Sequence, residues 1–233
     1  MKLNDIVYIY KKSQSDELKY SIRSVEENFP FRKLVIVGDR PEGIKPDYFL
    51  GVDQLMTKGR NVVNAIYNII EDSNISDDFW LFNDDFFVMK PIKQMTPYYN
   101  GELSDLISLL YRKFGNNQYV EILKRSLYEL VDKGYSIHNY ETHTPLLLNK
   151  DKVKELIKVF NDLSGFRSKY GNYFKIGGRN VADVKVSTNR KPNENNRLLS
   201  TSNASFTDYK VGELIRETFK NKSKYEQLKN NTL

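Results

Sequence analysis

The feature that most constrains the fold is an alternation of short apolar strands with amphipathic helices in the first part of the chain. The stretches NDIVYIY and KLVIVGD are rich in β-branched residues and predict buried strands. Between them, apolar residues recur at helical spacing from Leu18 to Phe29, and KGRNVVNAIYNIIEDS predicts a second helix. The stretch DDFWLFNDDFFVMKP predicts a further strand that is buried on both faces. This alternation is typical of an α/β, Rossmann-like fold, in which helices flank a mainly parallel sheet.

The second half of the chain predicts a helical insert at residues 100–134 within a single domain of residues 1–233. Two amphipathic segments there each end at a glycine. A short apolar run and a helix from about Lys150 follow. The stretch FRSKYGNYFKIGG is open to two interpretations, a phosphate-holding loop or a twisted hairpin with solvated cations. The polar segment 189–205 predicts a mobile loop that becomes ordered over a bound ligand.

Composition limits the classes of protein that remain. The chain has 233 residues and no cysteine, which excludes disulfides and thiolate metal sites. Its apolar runs are too short for a signal peptide or a membrane span, so a cytoplasmic location is expected. The net charge of +6 and the pI of 9.1 favour anionic partners. Because this charge is spread along the chain, nucleic acid is a possible partner but not a required one. A peripheral contact with a membrane surface also stays open.

The adjacent carboxylates of Asp84 and Asp85 stand between apolar neighbours, where they repel each other and are costly to desolvate. A divalent cation such as Mg²⁺ or Mn²⁺ would offset this cost, because it takes one or two carboxylates together with substrate phosphates. The alternative is a strand that emerges into a turn with both carboxylates solvated. Asp39 follows another predicted strand, and parallel strands place such residues at one edge of the sheet. The three carboxylates are therefore expected to face one crevice.

These segments, in this order, resemble the GT-A glycosyltransferases, in which an Asp-x-Asp motif holds a metal against the diphosphate of a nucleotide sugar. The closer resemblance is to the Stealth-type capsular polysaccharide phosphotransferases and related bacterial and phage glycosyltransferases. It is carried by ELKYSIRSVEENFP, LVIVGDRP, FWLFNDDFFVMKP and HTPLLLNKDK, and RSKYGNYF is similar as well. The opening DIVYIYKKSQSDE departs from the pattern, because it lacks the Trp-Val-Asp-Gly of Stealth proteins.

The resemblance implies a metal-dependent, GT-A-like domain with a site at the carboxyl edge of the sheet. Asp84, Asp85 and His143 are the implied ligands of Mn²⁺ or Mg²⁺. Asp85, Glu141 and His143 are the predicted catalytic residues, with Glu141 a candidate general base for an acceptor hydroxyl. The predicted donor-binding residues are Asp39, Arg60, Asn61, Asn64, Asn83, Asp84, Arg167 and Lys169.

Simpler interpretations of these residues stay open. Asp39 is also an ordinary turn residue after a strand, and residues 60–64 also suit helix capping. Arg23 and His138 are expected to be plain surface side chains.

Three functions are compatible with this sequence. The preferred one is metal-dependent transfer of a sugar from a nucleotide-sugar donor to a hydroxyl-bearing glycan or polymer, modified DNA included. The second is transfer of a sugar 1-phosphate at the same site. The third is a non-catalytic module that binds an anionic polymer, for which the adjacent buried carboxylates would have no use.

Overall fold

The computed structural model describes residues 3–55, 57–189, 192–193 and 195–227, without the side chain of Lys58. The strands of these residues are β1 (Asp5–Tyr10), β2 (Leu34–Gly38), β3 (Tyr48–Gly51), β4 (Asp78–Phe82), β5 (Phe86–Val88), β6 (Tyr98–Tyr99), β7 (Leu146–Asn149), β8 (Arg179–Asn180) and β9 (Leu198–Ser200). The helices are α1 (Glu17–Asn28), α2 (Lys58–Glu71), α3 (Leu103–Phe114), α4 (Gln118–Asp132), α5 (Lys150–Phe160), α6 (Phe166–Tyr173), α7 (Asn203–Asp208) and α8 (Lys210–Thr218).

The central sheet has five strands in the order β3-β2-β1-β4-β7. The first four are parallel, and β7 is antiparallel to β4. Both faces of the sheet are covered, because alternate residues of each strand enter two different cores. Val7 and Val35 belong to a core with α2, α5 and the α3–α4 pair, whereas Ile6 and Leu34 belong to a core with α1 and β5. The α/β fold with a mainly parallel sheet is therefore confirmed.

The strand predicted across Asp77 to Pro91 is corrected by the structure. It is divided into β4 and β5, which are separated by a turn at Asp84 and Asp85. β5 leaves the central sheet and pairs antiparallel with β9 in a second layer. Because Asp84 and Asp85 lie in a turn and are each partly exposed, their desolvation costs less than it would in a strand buried on both faces.

Two later segments also differ from the sequence predictions. The FRSKYGNYF stretch forms α6 rather than a hairpin, and both Arg167 and Lys169 on it are buried rather than solvated. Within the segment predicted as a mobile loop, residues 198–200 form β9 and are fully packed. Three residues of that segment, at positions 190, 191 and 194, lie outside the described residues.

The two helices predicted between residues 100 and 134 are present as α3 and α4. They pack against each other, and α4 also packs against α6. In the part of the chain that the structure describes, no helix has the length and apolar character needed to cross a bilayer.

Candidate functional site

The candidate site lies at the carboxyl edge of the parallel strands, where β1, β2 and β4 end side by side. Gly38 ends β2 at φ +114°, and a Cβ there would stand 2.3 Å from the carbonyl oxygen of Tyr10, so only glycine permits this close approach. The start of β7 pairs with the end of β4, Leu146 opposite Leu81. Residues 139–145 therefore enter the same edge.

Asp39 and Asp84 both face this edge. Burial raises the pKa of Tyr10, and the negative charges of Asp84 and Asp39 raise it further. Asp39 directly follows β2 and Asp84 lies two residues after β4, so both stand where parallel strands end. Asp39 also accepts a hydrogen bond from the backbone N–H of Lys12 at 2.7 Å, which fixes the loop after β1. One oxygen of Asp39 is thus occupied in holding a loop, and the crevice shared by the three carboxylates stays a prediction.

Asp85 lies beside Asp84 in the turn and is contacted by a residue that sequence reasoning missed. Its Oδ2 accepts from Nζ of Lys185 at 3.1 Å. Its Oδ1 is buried and has no hydrogen-bond partner among the described residues. The backbone is held as well, because Thr201 N–H donates to the Asp85 carbonyl at 3.0 Å. The turn therefore presents a carboxylate of fixed position with one unsatisfied oxygen.

His143 forms a close pair with Asp183. Its Nδ1 is 2.6 Å from Oδ2 of Asp183, and its backbone N–H donates to Oδ1 at 3.1 Å. Burial raises the pKa of Asp183, but the hydrogen bonds and charge of His143 outweigh it and leave that pKa below its ordinary value. With the proton on Nδ1 facing an ionised Asp183, the lone pair of His143 is on Nε2. This is the arrangement that a general base requires.

Glu141 and Arg167 support the loop that carries His143. Oε1 of Glu141 accepts from the backbone N–H of Ser168 at 3.0 Å, which caps the start of α6. Arg167 donates from Nε to the carbonyl of Tyr140 at 3.1 Å and from Nη2 to the carbonyl of Thr144. Burial lowers the pKa of Arg167, whereas Glu141 and other neighbouring anions raise it. Both residues lie at the site, where they are engaged by its own backbone.

One segment supplies a residue to both the turn and the His143–Asp183 pair. Asp183 and Lys185 are two residues apart, so their Cα atoms are separated by no more than about 7 Å. The segment is fixed where residues 184–186 pair with β9, with Val186 N–H donating to the carbonyl of Ser200 at 2.8 Å. The segment 183–186 therefore connects the carboxylates of the turn to the histidine.

Tyr119, at the start of α4, is a further residue that sequence reasoning missed. Burial of its hydroxyl raises the pKa of Tyr119, the charges of Glu141 and Asp183 raise it more, and Arg167 lowers it. The residue as a whole is 47% exposed, so solvent also reaches this side chain. Nothing in the helical spacing of α4 distinguishes this tyrosine from the other exposed ones.

Three predicted donor-binding residues, Asn61, Asn64 and Lys169, form contacts within the fold. Asn61 accepts from Leu55 N–H at 2.5 Å, and Asn64 donates to the carbonyl of Asp53 at 3.2 Å, so both hold the loop after β3. Arg60 is exposed, and Asn83 lies half-buried in the turn. Lys169 is fully buried and forms ion pairs with carboxylates of α4 and of the loop after α5, Glu129 at 2.6 Å and Asp162 at 3.4 Å.

His138 and Arg23 were both expected to be plain surface side chains, and Arg23 does not match this expectation. His138 stacks on Tyr99 with ring centroids 4.5 Å apart and is half-buried. Arg23 is not at the surface, because it is only 8% exposed and forms a two-bond ion pair with Glu226 at 2.6 and 2.7 Å. The Arg23 prediction was wrong because the partner is 203 residues away in sequence.

The Asp84–Asp85 turn suits a hard divalent cation that takes only a few of its ligands from the protein. The unsatisfied Oδ1 of Asp85 is an oxygen that a cation would satisfy. In the described part of the chain, no group of three or more His, Cys, Asp or Glu side chains is arranged to hold a metal. Mg²⁺ usually takes one or two carboxylates and completes its coordination with water and substrate phosphates. The turn therefore suits a cation that is shared with a phosphate-bearing substrate.

Comparison with known proteins gives distant similarity. No protein-family model matches the chain. A protein named exopolysaccharide phosphotransferase from Nocardia farcinica is 28% identical over 206 aligned residues, which cover 72% of this chain and 40% of that protein. Autophagy-related protein 11 from Candida albicans is 23% identical over 195 residues, which cover 79% of this chain and 16% of that protein. The chain thus spans two fifths or less of the length of these curated relatives.

Proposed function

We propose that this chain transfers a sugar 1-phosphate from a nucleotide-sugar donor to a hydroxyl group of a glycan or related polymer. The observation that carries the proposal is the His143–Asp183 pair beside the Asp84–Asp85 turn, at the carboxyl edge of a parallel sheet. The similarity to a protein named exopolysaccharide phosphotransferase favours phosphate transfer over the glycosyl transfer that was preferred from the sequence.

In this proposal, Nε2 of His143 takes the proton from the acceptor hydroxyl, and Asp183 stabilises the resulting imidazolium. The acceptor oxygen forms a bond to the phosphorus that carries the sugar, and the bond from that phosphorus to the bridging oxygen breaks. The bridging oxygen leaves with the nucleoside monophosphate. A Mg²⁺ or Mn²⁺ ion held by Asp84 and Asp85 would supply neutralisation of the diphosphate charge.

Glycosyl transfer is the second candidate, and the observation in its favour is the opening DIVYIYKKSQSDE, which lacks the Trp-Val-Asp-Gly of Stealth proteins. The same base would activate the acceptor, but the new bond would form at the anomeric carbon. A nucleoside diphosphate would then leave. The identity of the released nucleotide therefore separates the two reactions.

The experiment begins with a thermal-shift screen of nucleotide sugars with and without Mn²⁺, because a ligand that binds the folded state raises its apparent stability. A donor found in this way is incubated with candidate acceptors, and the released nucleotide is identified. A monophosphate supports sugar-phosphate transfer, and a diphosphate supports glycosyl transfer. If no nucleotide sugar binds and anionic polymers bind without metal and with a steep salt dependence, the binding-module alternative is supported instead.

Variants of the site then test the assigned roles. We expect His143→Ala to lower turnover by at least ~10²-fold, the usual effect of losing an acid–base group, and His138→Ala to leave it near normal. Asp84→Asn and Asp85→Asn should each abolish metal-dependent transfer with the fold intact. Near-normal turnover in any of the three site variants would remove that residue from the mechanism.

A further inference from the structure

Lys185 is a cation built into the candidate metal site. Its Nζ is 3.1 Å from Oδ2 of Asp85, and the two side chains are only 27% and 17% exposed. The backbone of Lys185 is fixed by a parallel bridge to Ser200, and Ser200 lies in β9, which pairs with the strand that follows Asp85. The contact therefore comes from two elements of the same second layer rather than from a freely moving surface side chain.

The charge of Lys185 also acts on a second carboxylate, which is buried. Glu17 at the start of α1 is 3% exposed and accepts from Oγ1 of Thr201 at 2.5 Å and from Oγ of Ser15 at 3.0 Å. Burial raises the pKa of Glu17 and the charge of Asp85 raises it further, whereas the charge of Lys185 lowers it. Lys185 thus lies within electrostatic reach of two carboxylates that repel each other.

The Lys185 ammonium only partly balances the negative charge of Asp85 and Glu17. It contacts one oxygen of Asp85, while Oδ1 of the same carboxylate is buried without a hydrogen-bond partner among the described residues. A divalent cation would place twice the charge on this carboxylate. It would also repel the ammonium, because two cations cannot lie against one carboxylate without strong repulsion.

We propose that Lys185 is an internal counter-ion that competes with the divalent cation for Asp85 and is displaced when the cation binds. This inference rests on the proposed function, in which a cation lies at the Asp84–Asp85 turn. Lys185 stabilises the metal-free site and lowers its affinity for metal alone. A donor diphosphate, which brings negative charge of its own, then favours binding of the cation, so metal and donor enter together.

The test measures Mn²⁺ binding to the full chain without donor, by electron paramagnetic resonance of the free ion. We expect Lys185→Met to bind Mn²⁺ about tenfold more tightly than the wild type, because the competing charge is lost while most of the side-chain volume is kept. Lys185→Arg keeps the charge and should bind Mn²⁺ like the wild type. Lys90→Met is the control for net charge, because Lys90 contacts the amide of Asn195 at 3.1 Å rather than a carboxylate.

Thermal unfolding provides a second readout, first without metal and then with it. Without metal, Lys185→Met should have a lower midpoint than Lys90→Met, because only the former leaves buried carboxylates without their counter-ion. Saturating Mn²⁺ should raise the midpoint of Lys185→Met more than that of the wild type.

The outcomes separate this inference from the proposed function. If the wild type binds Mn²⁺ and Lys185→Met binds it no more tightly, the competition is refuted while a metal-dependent function still stands. If Asp85→Asn binds Mn²⁺ as the wild type does, the cation does not use Asp85 and the inference is again refuted. If neither the wild type nor Lys185→Met binds Mn²⁺, both the metal site and the competition are wrong.

Discussion

Replacing Asp183 with Asn tests the base assignment without requiring a substrate. Asp183 accepts from the backbone N–H and Nδ1 of His143, and the backbone N–H of Lys185 also donates to it. Asn keeps one acceptor oxygen but presents an NH₂ group in place of the other. Facing this donor, Nδ1 of His143 would become the acceptor, and the proton would move to Nε2. The imidazole would then lack the lone pair that the proposed base needs.

The expected cost in stability is modest. A hydrogen bond to a charged group contributes roughly 1.5–3 kcal/mol to the free energy of unfolding. The His143 and Asp183 side chains are 34% and 28% exposed, so solvent screening reduces this to about 1–2 kcal/mol. For a chain of this size each kcal/mol lowers the melting temperature by about 2–4 °C, which predicts a fall of roughly 2–8 °C.

The assay combines calorimetry with nitrogen NMR of the imidazoles. The chain has two histidines, so His138 serves as an internal control. In the wild type, His143 should be protonated on Nδ1 when neutral, and in Asp183→Asn it should be protonated on Nε2, with His138 unchanged. The reasoning is refuted if the variant keeps both the wild-type tautomer and the wild-type melting temperature.

Three further predictions concern stability. The pKa of Asp183 in the folded state is lowered from 3.8, so the stability that its carboxylate contributes is present above about pH 4 and is lost as the pH falls through the folded value. Denaturant titrations should therefore show that the difference in unfolding free energy between the wild type and Asp183→Asn narrows below about pH 4. Arg23→Met should lower the free energy of unfolding by about 3–5 kcal/mol, because it leaves the buried Glu226 without its cation. In urea titrations, the double variant Arg23→Met, Glu226→Leu should be less destabilised than Arg23→Met alone. Gly38→Ala should lower the free energy of unfolding by about 2–4 kcal/mol and weaken ligand binding at the edge of the sheet. Gly43→Ala is the control, because a Cβ there meets nothing within 4 Å, and it should cost about 1 kcal/mol. Equal losses in calorimetry would contradict the argument from close approach.

The sequence predicts those parts of the fold that depend on patterns within a few neighbouring residues. β1, β2 and α1 follow from apolar runs and helical spacing within a few residues, and their order implies a parallel sheet. The break between β4 and β5 is not visible in the same way, because apolar residues continue on both sides of Asp84. Only the pairing of β5 with β9, a strand more than 100 residues later, shows that the chain leaves the sheet.

The site was predicted where one residue type carries a strong signal and missed where partners are distant in sequence. Asp84, Asp85 and His143 were singled out from their segments, although the turn that carries the carboxylates was not predicted, and the structure places this turn and the loop before β7 at one edge of the sheet. Asp183 is 40 residues from His143, in a short segment with no periodic pattern, so nothing local indicates their pairing. Lys169 shows the opposite error, because a basic residue near glycines suggested phosphate binding, whereas it is buried against Glu129.

Both faces of the sheet are covered, one by helices and the other by α1 and the second layer, so the strand ends are where loops bring polar side chains together. Because β7 enters antiparallel, the loop before it brings His143 to the carboxyl edge. The second layer then supplies Asp183 and Lys185 from one segment, one holding the histidine and the other the Asp85 carboxylate. A shift of this segment along β9 would move both contacts together. His143 and Asp85 are therefore both held by this one segment, and a variant that loosens the pairing of residues 184–186 with β9 should weaken both contacts at once.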